Sequence, residues 1–186
     1  MEQILKLRRN YKDLYSYRKA ECIYDITYHF CHKYLSVGDR TIDQMIQAAR
    51  SGKQNIVEGC MAAATSTETH IKLLNVAKSS LQELLVDYED FLRVRGLRQW
   101  ESNSDEVARM RELGREHSDS SFYTELIKSR NDETVANIAI VLIHQADYLL
   151  HRQLQQAEQS FLDNGGIKEK MYNSRIAHRE LKKQSE

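Results

Sequence analysis

An all-α fold is predicted, an up-and-down four-helix bundle with extra short helices between its third and fourth long helices and a basic C-terminal helix or tail. Three observations predict it. The 186 residues contain no proline, so the strongest helix breaker is missing. Only seven glycines occur, and several fall where an apolar stripe stops, the usual place for a helix to end. Four stretches repeat apolar residues at alternating three- and four-residue spacing, which places them on one face of a helix. Apolar side chains make up 41% and charged ones 29%, a globular composition rather than a disordered one, in a chain long enough for one domain with a full core.

The first helix is predicted over 12–36, where Ala20, Ile23, Thr27, Phe30 and Tyr34 share a face. Gly38 ends it, and Asp39 or Thr41 caps the next. The second covers 41–63, with Ile42, Met45, Ile46, Ala49, Gly52, Ile56 and Cys60 inward. Ala49 and Gly52 are small enough for a neighbouring helix to approach closely, a reason to tolerate the ~1 kcal/mol that glycine costs in a helix interior. Thr65 and Glu68 have capping-box spacing ahead of the third helix, which runs to about Arg95 and stops at Gly96. Its Leu74, Ala77, Leu81, Leu84, Tyr88 and Phe91 form a heptad seam. Residues 97–131 form an inserted link: a short polar helix from Ser102–Ser104 to near Gly114, then an element around Phe122, Leu126 and Ile127. The fourth long helix covers 132–163 with a broad stripe from Val135 to Phe161, and Gly165–Gly166 stops it. The bundle domain is thus 1–166, followed by a basic tail or helix over 167–186.

Charge and cysteine usage narrow the classes. Basic and acidic residues number 27 each, so only local asymmetry can point to a partner. Residues 118–166 are acidic on balance, and both ends of the chain are basic. The three cysteines, Cys22, Cys31 and Cys60, have no disulfide-framework spacing. The charged start lacks the apolar run of a secretory leader, and no stretch approaches membrane-spanning length. A cytoplasmic protein without membrane contact is expected.

The basic ends hold the candidate nucleic-acid residues. At the N-terminus Arg8, Arg9, Lys12, Arg18 and Lys19 interleave with Tyr11, Tyr15 and Tyr17, a pattern in which bases stack on rings while cations hold phosphates. The plainer reading is an arm that packs its tyrosines on the bundle. At the C-terminus stand Arg175, Arg179, Lys182 and Lys183, which read either as the same kind of contact or as a solvated face. Lys53 projects within about 40° of the inward face of the second helix, with Arg50 at its edge; each is a snorkelling stem or a cation at a subunit interface. Ser51, Asn55 and Glu58 fall on the opposite side of that helix. His29 and His32 stand at i, i+3, but nothing else carries zinc-ligand spacing, and His144, Asp147 and His151 share a polar face. No glycine-rich phosphate loop and no nucleophile elbow occurs. Neither catalysis, nor a metal, nor a cofactor is expected.

In the second and third helices, Gln44–Met45, Ala48–Ala49, Ser51 and Asn55-Ile56-Val57-Glu58-Gly59, then Leu73–Leu74, Val76–Ala77, Ser80 and Glu83–Leu84, resemble the signature of the intervening-sequence four-helix-bundle proteins. That bacterial family includes proteins encoded within intervening sequences of 23S rRNA genes. It is similar in fold to the accessory variability protein of diversity-generating retroelements. The likeness covers about 12–97 and, loosely, the fourth helix; the segments 97–131 and 167–186 resemble the subgroup with an added suffix. It implies a homo-oligomer, a pentameric ring or barrel, that contacts RNA or DNA through basic surface, with a reverse transcriptase or another protein as partner and no catalytic site. It also implies inter-subunit or inter-helix hydrogen-bonding roles for Gln44, Ser51, Asn55 and Glu58. The arginine pair that the family carries before its Ala-Ala is Ile46–Gln47 here, which leaves Arg50 and Lys53 to supply that charge. The expected function is a non-catalytic oligomeric scaffold that binds nucleic acid or a nucleic-acid enzyme. Its rivals are a protein–protein adaptor that docks through the acidic 118–166 region and the long link, and a metal or small-molecule enzyme with its site in the bundle core.

Overall fold

The computed structural model describes residues 10–184. They form seven helices and, among the described residues, no strand: α1 (Tyr15–Tyr34), α2 (Arg40–Ala62), α3 (Thr67–Val94), α4 (Asp105–Glu116), α5 (Ser120–Ile127), α6 (Asp132–Asn164) and α7 (Ile167–Gln184). The protein is all-α, as the periodicity predicts.

Helix ends follow local chemistry. α1 begins three residues later than predicted, because Tyr11–Asp13 form a 3-10 turn capped by Asn10 and Leu14 is extended. Asp39 caps α2, its carboxylate accepting from the Thr41 amide at 2.9 Å. α3 is capped not by Thr65 but by Ser66, whose backbone is extended and whose hydroxyl accepts from the Thr69 amide; the Thr65 hydroxyl donates back to Ala62 instead. α4 runs past Gly114 to Glu116, since a glycine in right-handed conformation does not stop a helix. Gly165, at φ 64°, does end α6. The basic 167–184 stretch is helical.

The four long helices enclose one core. α1 packs on α2, α2 on α3, α3 on α6 and α6 on α1. Inside, the Phe30 ring meets Tyr88 and Phe91 edge-on, with centroids 5.0 and 4.8 Å away. The buried Tyr88 hydroxyl donates to Thr27 Oγ1 at 3.0 Å, and that hydroxyl donates to the Ile23 carbonyl at 2.7 Å, so both of these buried hydroxyls are paired. The short helices add a second layer: α4 lies on α6 and α5 on α1. This explains a feature the stripe on α6 does not predict. Every residue from Val135 to Ile143 is buried, including Ala136, Ile140 and Val141, which lie outside the predicted stripe. Asn137 holds the link against this helix, donating to the Arg98 carbonyl at 2.8 Å and accepting from the Trp100 amide at 2.7 Å.

The α2–α3 contact depends on small residues. A Cβ at Gly52 would lie 2.8 Å from Leu81 Cδ2 and 2.9 Å from its Cγ, and Leu81 is fully buried. At the far end of the pair, His70 Nδ1 lies 2.7 Å from the Gly59 carbonyl, which requires the Nδ1–H tautomer, and burial holds the His70 pKa below its ordinary value.

Gly52→Ala should therefore lower stability in urea melts by ~1–3 kcal/mol, although alanine is the better helix former; a gain would show that Leu81 yields freely. For His70 the folded pKa is depressed, so its contribution is present above the unfolded value near 6.5 and declines as pH falls below it. The melting temperature should drop between pH 7.5 and 5.5, and by less in His70→Gln.

Candidate functional site

Lys19 is the most unusual side chain in the fold. It is 3% exposed, and no carboxylate among the described residues pairs with it. Its ammonium donates to the carbonyls of Gly114 and His117 at 2.7 and 3.3 Å and to the Tyr123 hydroxyl at 3.3 Å. Gly114 lies in the last turn of α4 and His117 is its C-cap. A helix C-terminus carries roughly half a negative charge and unsatisfied carbonyls, so the end of α4 acts as the counter-charge. Burial still holds the Lys19 pKa below the usual lysine value, with the neighbouring Cys22 pulling slightly the other way. A Cβ at Gly114 would overlap the end of the Gln145 side chain on α6, whose Nε2 donates to the Arg111 carbonyl. Beside Lys19 a cavity of about 750 Å³ opens between α1, α4 and α6.

The basic residues singled out in the sequence are therefore separated. Lys19 is committed to the interior and presents no charge to an outer partner. Lys12 is exposed on the 3-10 turn, which packs against α1 and α2. Arg18 is half-buried, donates to the Lys12 carbonyl at 2.8 Å and approaches Asp13 at 4.0 Å. Arg50 is exposed on α2, and the Lys53 ammonium sits 4.1 Å from the centre of the Tyr24 ring on α1, a cation–π contact across the α1–α2 seam. Arg175 and Arg179 are exposed on α7. Arg8 and Arg9 lie outside the described residues, as do the side chains of Lys182 and Lys183. Of the tyrosines, Tyr17 packs edge-on against Tyr11 at 4.8 Å and donates to Glu21, whereas Tyr15 stays exposed.

The signature positions on α2 divide in two. Ser51 and Asn55 do not face solvent. The Ser51 hydroxyl lies 2.9 Å from that of Ser80 on α3, and the Asn55 amide donates to the Ser51 carbonyl at 2.9 Å. Their side of α2 thus forms a polar link to α3 within one chain; the sequence projection misses it because α3 flanks α2 more widely than the apolar stripe suggests. Gln44 and Glu58 are exposed. So are Val76 and Glu83 on α3, with Val76 at 46% and the nearby Val86 at 53%.

His32 Nδ1 lies 2.8 Å from the Tyr28 carbonyl, and no cluster of three or more His, Cys, Asp or Glu that could hold a metal occurs among the described residues. Burial pushes the thiols of Cys22 and Cys31 up to about 12, where they are poor nucleophiles; Cys60 is also buried. No helix among the described residues is long and apolar enough to cross a membrane. Set against family models, curated proteins and solved structures, the chain matches none.

Replacing Lys19 by methionine removes the donor from the end of α4. Amide exchange measured by mass spectrometry should rise over 114–123 while α2 and α3 keep their protection; uniform loss along the chain would show that Lys19 serves the whole core instead.

Proposed function

We propose that the protein is a non-catalytic, oligomeric scaffold of the intervening-sequence type, with α1, α2, α3 and α6 as an up-and-down four-helix bundle, acting in the cytoplasm and binding RNA or DNA, or an enzyme that acts on them. The observation that carries this reading is the division of the signature residues. Ala48, Ala49, Leu74, Ala77, Ser80 and Leu84 are buried, so packing within the chain accounts for them. Gln44, Glu58, Val76 and Glu83 are exposed, and intramolecular packing gives no reason for them. Two exposed valines, Val76 and Val86, on the outer side of a well-packed helix suit a surface that meets a second subunit. A closed ring, a pentamer by the family likeness, would use this face repeatedly.

The nucleic-acid half of the reading rests on the α1–α2 flank. Arg50 is exposed, Lys53 stands over an aromatic ring, and the turn bearing Lys12 packs beside the same helix. Cations held next to rings suit a single strand, whose phosphates and bases they engage together. The acidic 118–166 region favours no such contact, and under the adaptor alternative it and the link would be the docking surface for a protein.

Light scattering should return a mass several times 21.8 kDa, about five times for the pentamer, and Val76→Asp with Val86→Asp should lower it while the helical content stays unchanged. Fluorescence anisotropy with single-stranded RNA and DNA oligonucleotides should show affinity falling as salt rises, and Arg50→Ala with Lys53→Ala should reduce the slope of log affinity against log salt by about 1 to 2. A monomer would remove the scaffold. An intact oligomer that binds neither oligonucleotide at low salt would leave the protein adaptor, which a nuclease-insensitive stoichiometric partner would support.

A further inference from the structure

The cavity beside Lys19 lies apart from the α2–α3 surface and the α1–α2 flank, and its walls have one sign. Lys19, Arg111 and Arg115 line it, and no aspartate or glutamate does, in a chain whose charges balance. Lys19 is answered by the carbonyl end of α4, and its three hydrogens are used there. The arginines are different. They stand at i, i+4 on α4, so both guanidinium groups emerge on the same side of that helix. Arg111 donates one bond, to the Ser102 carbonyl at 3.1 Å, and each guanidinium has five N–H donors. Neither arginine has an ion-pair partner among the described residues, whereas Arg98 of the preceding link pairs with Glu106 at 3.1 Å.

The remaining walls supply shape. Val107, Ile140 and Val141 form an apolar floor, all buried, and Trp100 and Tyr148 provide rings at the rim. A volume of about 750 Å³ lies in the range of small-molecule sites, roughly 300–1,000 Å³. An inorganic anion would leave most of it unfilled, and a neutral apolar molecule would leave two guanidinium groups without a counter-charge. We propose that this cavity binds a small organic anion that carries a planar ring: the acid group between Arg111 and Arg115, the ring on the Val107–Ile140–Val141 floor. The planar guanidinium fork binds two oxygens of one oxyanion, as in carboxylates, sulfonates and phosphates. The inserted helices thereby gain a role: α4 completes the site as well as covering α6.

The probe is 1-anilinonaphthalene-8-sulfonate, titrated by fluorescence into the full chain, with N-phenyl-1-naphthylamine, the same ring system without the sulfonate, as its neutral partner. We expect one sulfonate per chain, bound at least about ten-fold more tightly than the neutral compound. Arg111→Gln with Arg115→Gln should weaken sulfonate binding by about ten-fold and leave the neutral compound within about two-fold. Both arginines are exposed, so this variant should keep its melting temperature, which is measured alongside. Arg50→Ala with Lys53→Ala should leave the titration unchanged, which separates this site from the nucleic-acid reading. Equal affinity for the two compounds, binding without a one-to-one site, or a sulfonate affinity indifferent to the two arginines would overturn the proposal.

Discussion

Short helices have a fixed difficulty: their last carbonyls have no partner of their own. In an insertion of two such helices, the unpaired groups are a large fraction of the backbone, and the insertion can be ordered only if something supplies donors. Here α1 does so along its length. Lys19 donates to Gly114 and His117, Lys33 to Lys128 and Tyr34 to Arg130, and Asp25 accepts from the Ser120 hydroxyl. A buried hydrogen bond from a charged donor, such as that of Lys19 to Gly114, contributes ~1.5–3 kcal/mol, and the exposed bonds of Lys33 and Tyr34 contribute less. The placement of α4 and α5, the burial of the back of α6 and the existence of a cavity all follow from this set of contacts.

Asn137 performs the same task from the opposite wall. A buried asparagine in the middle of an apolar helix costs free energy unless each of its groups is paired, and all of them are used: its amide donates to Arg98 and Glu133 and its carbonyl accepts from Trp100. The link is therefore pinned at both ends, by α6 where it leaves α3 and by α1 where α4 gives way to α5. The α2–α3 half of the molecule is held differently, by close approach at Gly52 and by the Ser51–Ser80 pair. One half of the fold is built on polar docking and the other on small residues.

Most of the helices were legible because their signal is local. Stripes such as Leu74–Phe91, and the cap at Asp39, depend on neighbours three or four residues away. The misreadings have a common origin in long-range contacts. Lys19 looked like part of a basic arm because nothing near it in sequence announces that the end of another helix, 95 residues on, will receive it. The projection set Ser51 and Asn55 opposite the apolar stripe but could not name the partner on α3, Ser80, because it knows one apolar face and not the width of the neighbour. The cavity was not legible either: Arg111 and Arg115 sit in a helix that reads as polar and ordinary, and their lack of acidic partners emerges only once α1, α4 and α6 are assembled. A glycine late in a predicted helix, as Gly114 is, was the one available sign that another chain segment comes close.

The burial of all three cysteines has a practical side. A maleimide reacts with accessible thiolate, and Cys22, Cys31 and Cys60 offer little of it while the chain is folded. The turn between α1 and α2 carries Val37, fully exposed at 103%. A cysteine placed there would take a fluorophore alone, with no need to strip the native thiols from the core. Distances from the α1–α2 turn to any second labelled point are thereby open to measurement on an otherwise unaltered protein.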